Sequence, residues 1–260
     1  MRHLYRSLLS ISLFGALALP SFAEAQSADQ IMQKALNIDP FGWDEAETRV
    51  RMVLKDRKGK KKERLMENLR RRKDNQLQSV VRFRRPQEVA GTAFLMLERN
   101  KGESEQYIYL PRLKRTRRLV GREREGSFMG SDFSYADFER RDARDSSHRR
   151  LPDENMGNKA VYVIESTPTK KSGSSYSKIT TWIDQKTYLP LRIRFTDKKG
   201  KLLKTFYTRR VRNENGKPVI VECKMENKQS GHSTVFVLED MKPRHDIPDT
   251  MFTPTALEHG

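Results

Sequence analysis

The segment Gln106–Phe138, QYIYLPRLKRTRRLVGREREGSFMGSDFSYADF, combines three residue patterns in one continuous run. Its first part, Tyr107–Leu110, is rich in β-forming and aromatic residues, and Pro111 ends the strand that they predict. A second strand follows and carries five cations, which are Arg112, Lys114, Arg115, Arg117 and Arg118. The third part is a glycine-flanked loop that contains Phe128, Met129 and Phe133. The segment therefore predicts two paired strands and then a loop with unusually large apolar side chains.

The apolar loop after the second strand admits two structural interpretations. Gly126 and Gly130 flank large apolar side chains that follow neither a helical nor a strand period, and this pattern favours a mobile flap. The alternative is that Phe128, Met129 and Phe133 are core residues that close one end of the fold. A flap beside a basic strand would suit an amphiphile, because the acyl chain would lie on the loop and the anionic headgroup on the arginines.

Alternating apolar residues on both sides of this segment predict a long antiparallel sheet. Residues 50–54 follow a period of two, and several later stretches repeat it. Residues 56–60, 197–201 and 213–217 each contain an Asp or Asn, two polar residues, Gly and Lys, a pattern typical of tight hairpins. We predict a mainly β fold: a single curved antiparallel sheet of roughly 10–12 strands, open as a half-barrel. An N-terminal helix over Ser27–Asn37 and a short helical lid would complete it.

A sheet of this shape would form an elongated apolar groove on one face, which suits acyl chains. Phe94–Leu97 is apolar on both strand faces, and this indicates either a fully buried strand or one with a ligand-facing side. Tyr107 and Tyr109 share a strand face that either lines the groove or lies outside it. We predict that the groove and its gate are formed by Phe94, Met96, Tyr107, Tyr109, Phe128, Met129, Phe133, Trp182, Leu191 and Phe195.

The first 25 residues match the pattern of a secretory signal peptide. Arg2 and Arg6 form a positive start, Leu8–Leu19 is an apolar run, and Ala23–Ala25 is a small-x-small cleavage site. The apolar run is too short to span a bilayer. We therefore predict export to the periplasm, with a signal peptide over residues 1–25, cleavage near Ala25, and one domain over residues 26–260.

The formal net charge of +18 predicts attraction to something anionic. Nucleic acid is the least available anionic partner for an exported protein, so we predict none. The five cations of the basic strand would instead meet an anionic headgroup, an anionic membrane surface or a partner protein. The alternative is that most Lys and Arg side chains only cover solvated strand faces. Arg140–Arg150 is predicted to be a highly charged connection, and Ile247–Phe252 a terminal extended segment.

The sequence offers no constellation for catalysis. The histidines lack metal-ligand spacing, and no G-x-S-x-G, P-loop or G-x-G-x-x-G motif is present. Cys223 alternates with apolar residues along one strand and is predicted to be a core residue rather than a nucleophile. The aspartates near the loop are interleaved with arginines, which suggests ion pairs; they are Asp132, Asp137, Asp142 and Asp145. We predict no enzyme activity, no metal site and no cofactor.

Four motifs carry a resemblance to a known family. WIDQKTYLPLRIRF (Trp182–Phe195), AGTAFL (Ala90–Leu95), YLP (Tyr109–Pro111) and GSFMGSDFSY (Gly126–Tyr135) resemble signatures of the LolA-like outer-membrane lipoprotein-sorting family. They resemble in particular a branch that is associated with RND-type exporters. The resemblance implies an open half-barrel with a helical lid, a periplasmic location, and binding of lipid or lipoprotein acyl chains.

Two functions follow as expectations. The first is a periplasmic carrier that binds lipid or lipoprotein acyl chains in an apolar groove and moves them toward the outer membrane, with an inner-membrane RND-type exporter as partner. The second is a non-carrying adaptor of such an exporter, which docks through the basic strand. The two differ in whether the second face of Phe94–Leu97 is open or packed.

Overall fold

The computed structural model describes residues 26–38, 45–99, 104–214 and 216–259. The predicted signal peptide, with its cleavage site near Ala25, lies outside the described residues. Helix α1 spans Ala28–Asn37. The strands are β1 Glu45–Lys55, β2 Lys61–Lys73, β3 Gln76–Arg85, β4 Ala93–Leu97, β5 Glu105–Leu110, β6 Arg115–Leu119, β7 Ser146–Met156, β8 Lys159–Pro168, β9 Tyr176–Asp184, β10 Pro190–Asp197, β11 Leu202–Glu214, β12 Lys217–Asn227 and β13 Ser233–Pro243.

All thirteen strands form one antiparallel sheet in the order β6-β5-β4-β3-β2-β1-β13-β12-β11-β10-β9-β8-β7. The chain makes two meanders, β1–β6 and β7–β13, which are joined in the middle where β1 pairs with β13. The sheet is not closed into a barrel, so the predicted fold class is confirmed. Strands β6 and β7 are its two edges and are consecutive in the chain, so residues 120–145 run from one edge to the other. We call these residues the crossing segment.

The structure has more strands than predicted, because β7 begins within the stretch Arg140–Arg150, which the sequence predicts to be a charged connection. Its residues are mostly exposed, and Pro152 and a bulge between Leu151 and Glu154 interrupt its alternation. An edge strand of this kind has no apolar face for a pattern to reveal. The C-terminal segment differs as well, since Asp249–Phe252 forms a 3-10 turn and not an extended strand.

Helix α1 begins at a capping box, as the sequence predicts. The Ser27 hydroxyl accepts a hydrogen bond from the Gln30 backbone N–H (3.2 Å), and the Gln30 side chain accepts one from the Ser27 N–H (3.0 Å). Ile31 and Met32 are buried in a cluster that includes Ile164 of β8. No helix in the described ranges has the length and apolar content needed to cross a membrane.

The two faces of the sheet are covered by different parts of the chain. We call the face that carries Phe83, Phe94 and Phe195 the inner face, and the crossing segment packs on it. The outer face of β3 and β4 is covered by residues 244–259, which we call the C-terminal segment. Ile247, Phe252 and Leu257 of this segment are buried against Val80, Ala93, Leu95 and Leu97. Strand β4 is therefore packed on both sides.

Candidate ligand-binding site

The crossing segment covers the inner face with aromatic rings. Phe128 is only 2% exposed, and its ring centroid lies 5.5 Å from that of Phe94 and 5.9 Å from that of Phe83. Phe133 reaches the other meander, 4.7 Å from Phe236 of β13. Tyr135 and Phe138 complete the group of rings that the segment contributes. Ring pairs with these geometries each contribute about 0.5–1.5 kcal/mol beyond area burial. The loop is thus packed as core, and the expectation of an open flap does not describe this conformation.

The backbone of the crossing segment is bonded to itself. Phe128 N–H donates to the Phe133 carbonyl (2.7 Å), and Tyr135 N–H donates to the Gly126 carbonyl (3.2 Å). Met129 and Gly130 both have positive φ, 49° and 73°, which makes a sharp tip that a glycine accommodates readily. Among the described residues, no backbone-to-backbone hydrogen bond joins residues 126–139 to a strand of the sheet. Side chains alone hold this part of the segment in place.

A buried ion pair attaches the crossing segment to the second meander. Lys204 of β11 lies 2.5 Å from an Asp137 carboxylate oxygen, and both side chains are only 5% exposed. Asp137 also accepts hydrogen bonds from the Tyr176 hydroxyl (3.0 Å) and from the Ser134 backbone N–H (2.8 Å). Lys204 donates a further hydrogen bond to the carbonyl of Asp132 (3.2 Å). The pair is therefore surrounded by polar partners, which a buried pair needs in order to be stable.

The protonation states of this cluster follow from burial and charge. Burial alone would raise the pKa of Asp137, but the charges of Lys204 and Arg141 outweigh it and hold that pKa below its ordinary value. Burial likewise disfavours the charged form of Lys204, yet Asp137 raises the pKa of Lys204. Burial raises the pKa of Asp132 above its ordinary value, although the Thr234 hydroxyl donates to its carboxylate and the charges of His232 and Lys204 oppose the shift. Asp137 is therefore ionised at neutral pH.

Weaker contacts attach the segment to the first meander. The Arg64 guanidinium donates to the Met129 carbonyl. The amide nitrogen of Gln106, a fully buried side chain, donates to the Tyr135 carbonyl (3.1 Å) and to Glu139 (2.9 Å). These groups hold the two ends of the aromatic cluster, so the segment bridges both halves of the sheet.

The ten predicted groove residues fall into three clusters. Phe94, Met96, Phe128, Met129, Phe133 and Phe195 share the inner-face cluster. Tyr107 and Tyr109 lie on the outer face with the C-terminal segment, since they pair with Leu95 and Ala93. Trp182 and Leu191 pack in a further cluster with Val161 and Val163. The structure therefore brings six of the predicted residues together and separates the other four from them.

Strand register explains why Trp182 lies apart. Ile179 pairs with Phe195 on the inner face, and Trp182, three residues further along β9, points to the opposite face. Its ring there lies beneath the guanidinium of Arg192, at 3.7 Å from the centroid, and its indole N–H donates to Glu154 (2.9 Å). These contacts are those of a packing residue.

Several residues of the inner-face site were missed by sequence reasoning. They are Phe83, Tyr135, Phe138, Phe206 and Phe236 among the rings, and Arg64, Gln106, Tyr176 and Lys204 among the polar groups. The ion-pair expectation for Asp137 holds in part, because Arg141 lies 3.6 Å from it. Its nearer partner, Lys204, is 67 residues away in the chain, and no local pattern indicates that pairing. Alternation along β3 would have identified Phe83.

The predicted basic strand is the edge strand β6 and its flanks. Arg117 forms an ion pair with Glu123. Within the part of the chain that the structure describes, Arg112, Lys114, Arg115 and Arg118 have no ion pair, and no cluster of three or more His, Cys, Asp or Glu side chains could hold a metal ion. Cys223 packs against the inner-face cluster, and burial raises the pKa of its thiol to about 12, so the reactive thiolate is disfavoured.

We expect the crossing segment to loosen in acid. Because the folded-state pKa of Asp137 is depressed, its stabilising contribution is complete above about pH 4, the ordinary aspartate value, and is lost as the pH falls through the depressed pKa. Asp132 acts in the opposite sense, since its raised pKa favours the folded state when it is protonated. The loosening can be measured as a loss of amide protection at residues 126–138 when hydrogen exchange is followed as a function of pH. Protection that stays constant down to the acid limit of the fold would contradict the expectation. Asp137→Asn should remove the loss of protection in acid and leave only the opposite contribution of Asp132.

The chain is similar to several proteins of known structure over most of its length. Residues 75–259 match a family described as "-like: Uncharacterized protein". An outer membrane lipoprotein-sorting protein domain from Vibrio parahaemolyticus is 31% identical, with a TM-score of 0.82 over 89% of this chain and 98% of that one. A DUF1329 family protein from Desulfovibrio piger is 25% identical, with a TM-score of 0.79 over 87% and 95%. A LolA superfamily protein from Nitrosomonas europaea is 26% identical, with a TM-score of 0.68 over 88% and 98%. No curated protein sequence matches the chain.

Proposed function

Because this chain belongs to the LolA-like family of outer-membrane lipoprotein-sorting proteins, whose carrier-type fold is non-enzymatic, we propose that it is a periplasmic carrier of lipid or lipoprotein acyl chains. Residues 1–25 would direct export and residues 26–260 would form the carrier domain. Transport would run toward the outer membrane, and an inner-membrane exporter of the RND type would be the partner. The family relatives support a carrier role of this general kind.

The observation that carries the proposal is the way the inner face is covered. A segment with four aromatic rings lies on it, and among the described residues the backbone of residues 126–139 forms no backbone-to-backbone hydrogen bond with a strand of the sheet. Such a segment can leave the sheet as one body without breaking a strand ladder. Its departure would uncover Phe83, Phe94 and Phe195, which acyl chains could then contact. Each methylene buried there would contribute about 0.8 kcal/mol, so two long chains could replace the lost aromatic contacts.

In this proposal the crossing segment is a lid, and the six inner-face residues named above are the acyl-binding surface. Phe128, Met129 and Phe133 act as the gate because they occupy the space that cargo would take. The buried Asp137–Lys204 pair holds the lid closed when no cargo is present. The anionic headgroup would lie toward the basic strand β6, next to the start of the lid.

The alternative function, an adaptor that carries nothing, is favoured by one observation. The second face of Phe94–Leu97 is packed by the C-terminal segment, as expected for a fully packed sheet. The structural question that separates the two functions is whether the crossing segment leaves the inner face. A carrier needs that movement and an adaptor does not.

We expect protein purified from a periplasmic fraction without detergent to contain phospholipid or acylated peptide at close to one equivalent, measured by native mass spectrometry and lipid extraction. In the loaded form, amide protection should fall at residues 126–138 and stay unchanged in β4, because only the lid moves. A lipid-free mass together with no binding of a fluorescent fatty acid would favour the adaptor. Lipid bound with the lid still protected would refute the gate.

A further inference from the structure

Strand β6 offers an open edge for hydrogen bonding. It stands first in the strand order, and its pairing with β5 runs without a bulge from Leu110 and Arg115 to Gln106 and Leu119. In the described ranges no strand pairs with its other side. The outward N–H and C=O groups of such an edge are a template for one more strand.

The opposite edge of the sheet is blunted. Strand β7 contains Pro152, which lacks an N–H, and a bulge between Leu151 and Glu154. Helix α1 also lies against it, where the Arg150 guanidinium donates to the Gln26 carbonyl just before the helix (3.0 Å). Strand β6 has neither proline nor bulge. The two edges therefore differ in the features that prevent strand addition.

The charges of β6 determine which strand can join it. Arg115 pairs with Leu110 and Arg117 with Ile108, which is buried in the inner-face cluster, whereas Arg118 pairs with Tyr107 on the outer face. Cations therefore stand on both faces of the edge strand. Two copies of this edge repel one another, while a strand with carboxylates on both faces would place opposite charges at cross-strand positions.

Two exposed apolar side chains mark the ends of the strand. Leu113 is 68% exposed and Val120 is 56% exposed, the two highest values among the large hydrophobic residues that the structure describes. An added strand could bury these two side chains at its ends.

We propose that β6 is a docking site for an extended acidic segment of a partner protein, which adds to the sheet as a further antiparallel or parallel strand. The open backbone accounts for the strand geometry, and the cations on both faces account for the acidic sequence. Leu113 and Val120 account for where the added strand would end. A membrane surface would use the cations and the two apolar ends but would leave the edge hydrogen bonds unpaired. The inference is independent of lipid carriage, because it concerns an edge that exists with the lid closed.

The test measures fluorescence anisotropy of a labelled peptide built of alternating glutamate, valine and threonine, added to the lipid-free full-length protein. We expect binding that weakens with salt, and about tenfold or greater loss when alternate backbone amides of the peptide are N-methylated, since each methyl group removes a donor. Arg115→Glu combined with Arg118→Glu should abolish binding. The matched control is Lys58→Glu combined with Lys199→Glu, two exposed hairpin-turn lysines with the same charge change, which should leave binding intact.

Equal binding of the N-methylated peptide would overturn strand addition, because only charge would then be recognised. Binding of phosphatidylglycerol vesicles without binding of the peptide would also overturn it and would make β6 a membrane contact. Because lipid-free protein is used, failure here does not affect the carrier proposal, and failure to co-purify lipid does not affect this one.

Discussion

Replacing Asp137 by asparagine is expected to lower the free energy of unfolding by about 3–5 kcal/mol, since it leaves the buried Lys204 ammonium without its counter-charge. Lys204 is 4% exposed, and its further hydrogen-bond partners, the Asp132 carbonyl and the Tyr176 hydroxyl, are neutral. The carboxylate accepts from the Tyr176 hydroxyl and from the Ser134 N–H through different oxygens, and an asparagine amide keeps only one acceptor oxygen. Chemical denaturation measures the loss, and hydrogen exchange locates it.

A control for this substitution lies in the same segment. Asp142 also forms an ion pair with an arginine, Arg144 (2.6 Å), but that pair is exposed to solvent. Asp142→Asn should therefore change the free energy of unfolding by less than about 1 kcal/mol. The double variant Asp137→Leu with Lys204→Met should be more stable than either single variant, because no charge is left buried. Equal losses for the two aspartates would mean that the buried pair does not hold the lid.

The location of the loss separates two views of the crossing segment. If it is a lid, Asp137→Asn should abolish amide protection at residues 126–138. Strands β4 and β9 should stay protected and lose no more than the loss in global stability, because the sheet ladders do not depend on the segment. If it is permanent core, protection should fall throughout the sheet together. The same result bears on function, since a segment that opens alone would increase the binding of a fluorescent fatty acid.

Local patterns in the sequence predicted the frame of the fold well. Ser27 and Gln30 form the capping box that starts α1, and two Asp-x-x-Gly-Lys turns, at 56–60 and 197–201, close hairpins through the Asp side chain. Each of these features depends on residues only a few positions apart. Strand β7 was not predicted, because an exposed and charged edge strand lacks the alternation of apolar and polar residues that identifies a strand.

For the inner-face site, the sequence identified the apolar residues of the loop but could not show how they pack. Phe128 and Phe133 stand out in any interpretation of the sequence, but a packed plug and an open flap have the same composition. What decides between them is the presence of Phe83, Phe236 and Lys204 opposite the loop, and these come from strands far away in the chain. Tyr107 and Tyr109 were misplaced because strand register, and not residue type, determines which face a side chain occupies.

The C-terminal segment is expected to be essential for folding. Phe252 is 4% exposed, packs against the β3–β5 cluster and lies under the guanidinium of Arg71, 4.6 Å from the ring centroid. Phe252→Ala should therefore lower the free energy of unfolding by about 3–5 kcal/mol, the usual range for a buried aromatic ring. Removal of residues 247–260 should have a larger effect, because it uncovers the outer face of β4 and takes away the carbonyl acceptors of Arg71 and Arg82. Insoluble protein is the expected result of the truncation.

Thr255→Ala provides the matched control, since Thr255 is exposed in the same segment and the change should stay within about 0.5 kcal/mol. Denaturant unfolding of the two full-length variants compares them directly. If Phe252→Ala costs no more than Thr255→Ala, the segment is not core but a strap that can detach, and β4 then has an apolar face to offer on the outside as well as the inside. If the large loss is observed, the outer face is permanently closed. Any movement that admits cargo is then confined to the inner face, where, among the described residues, residues 126–139 form no backbone-to-backbone hydrogen bond with a strand of the sheet.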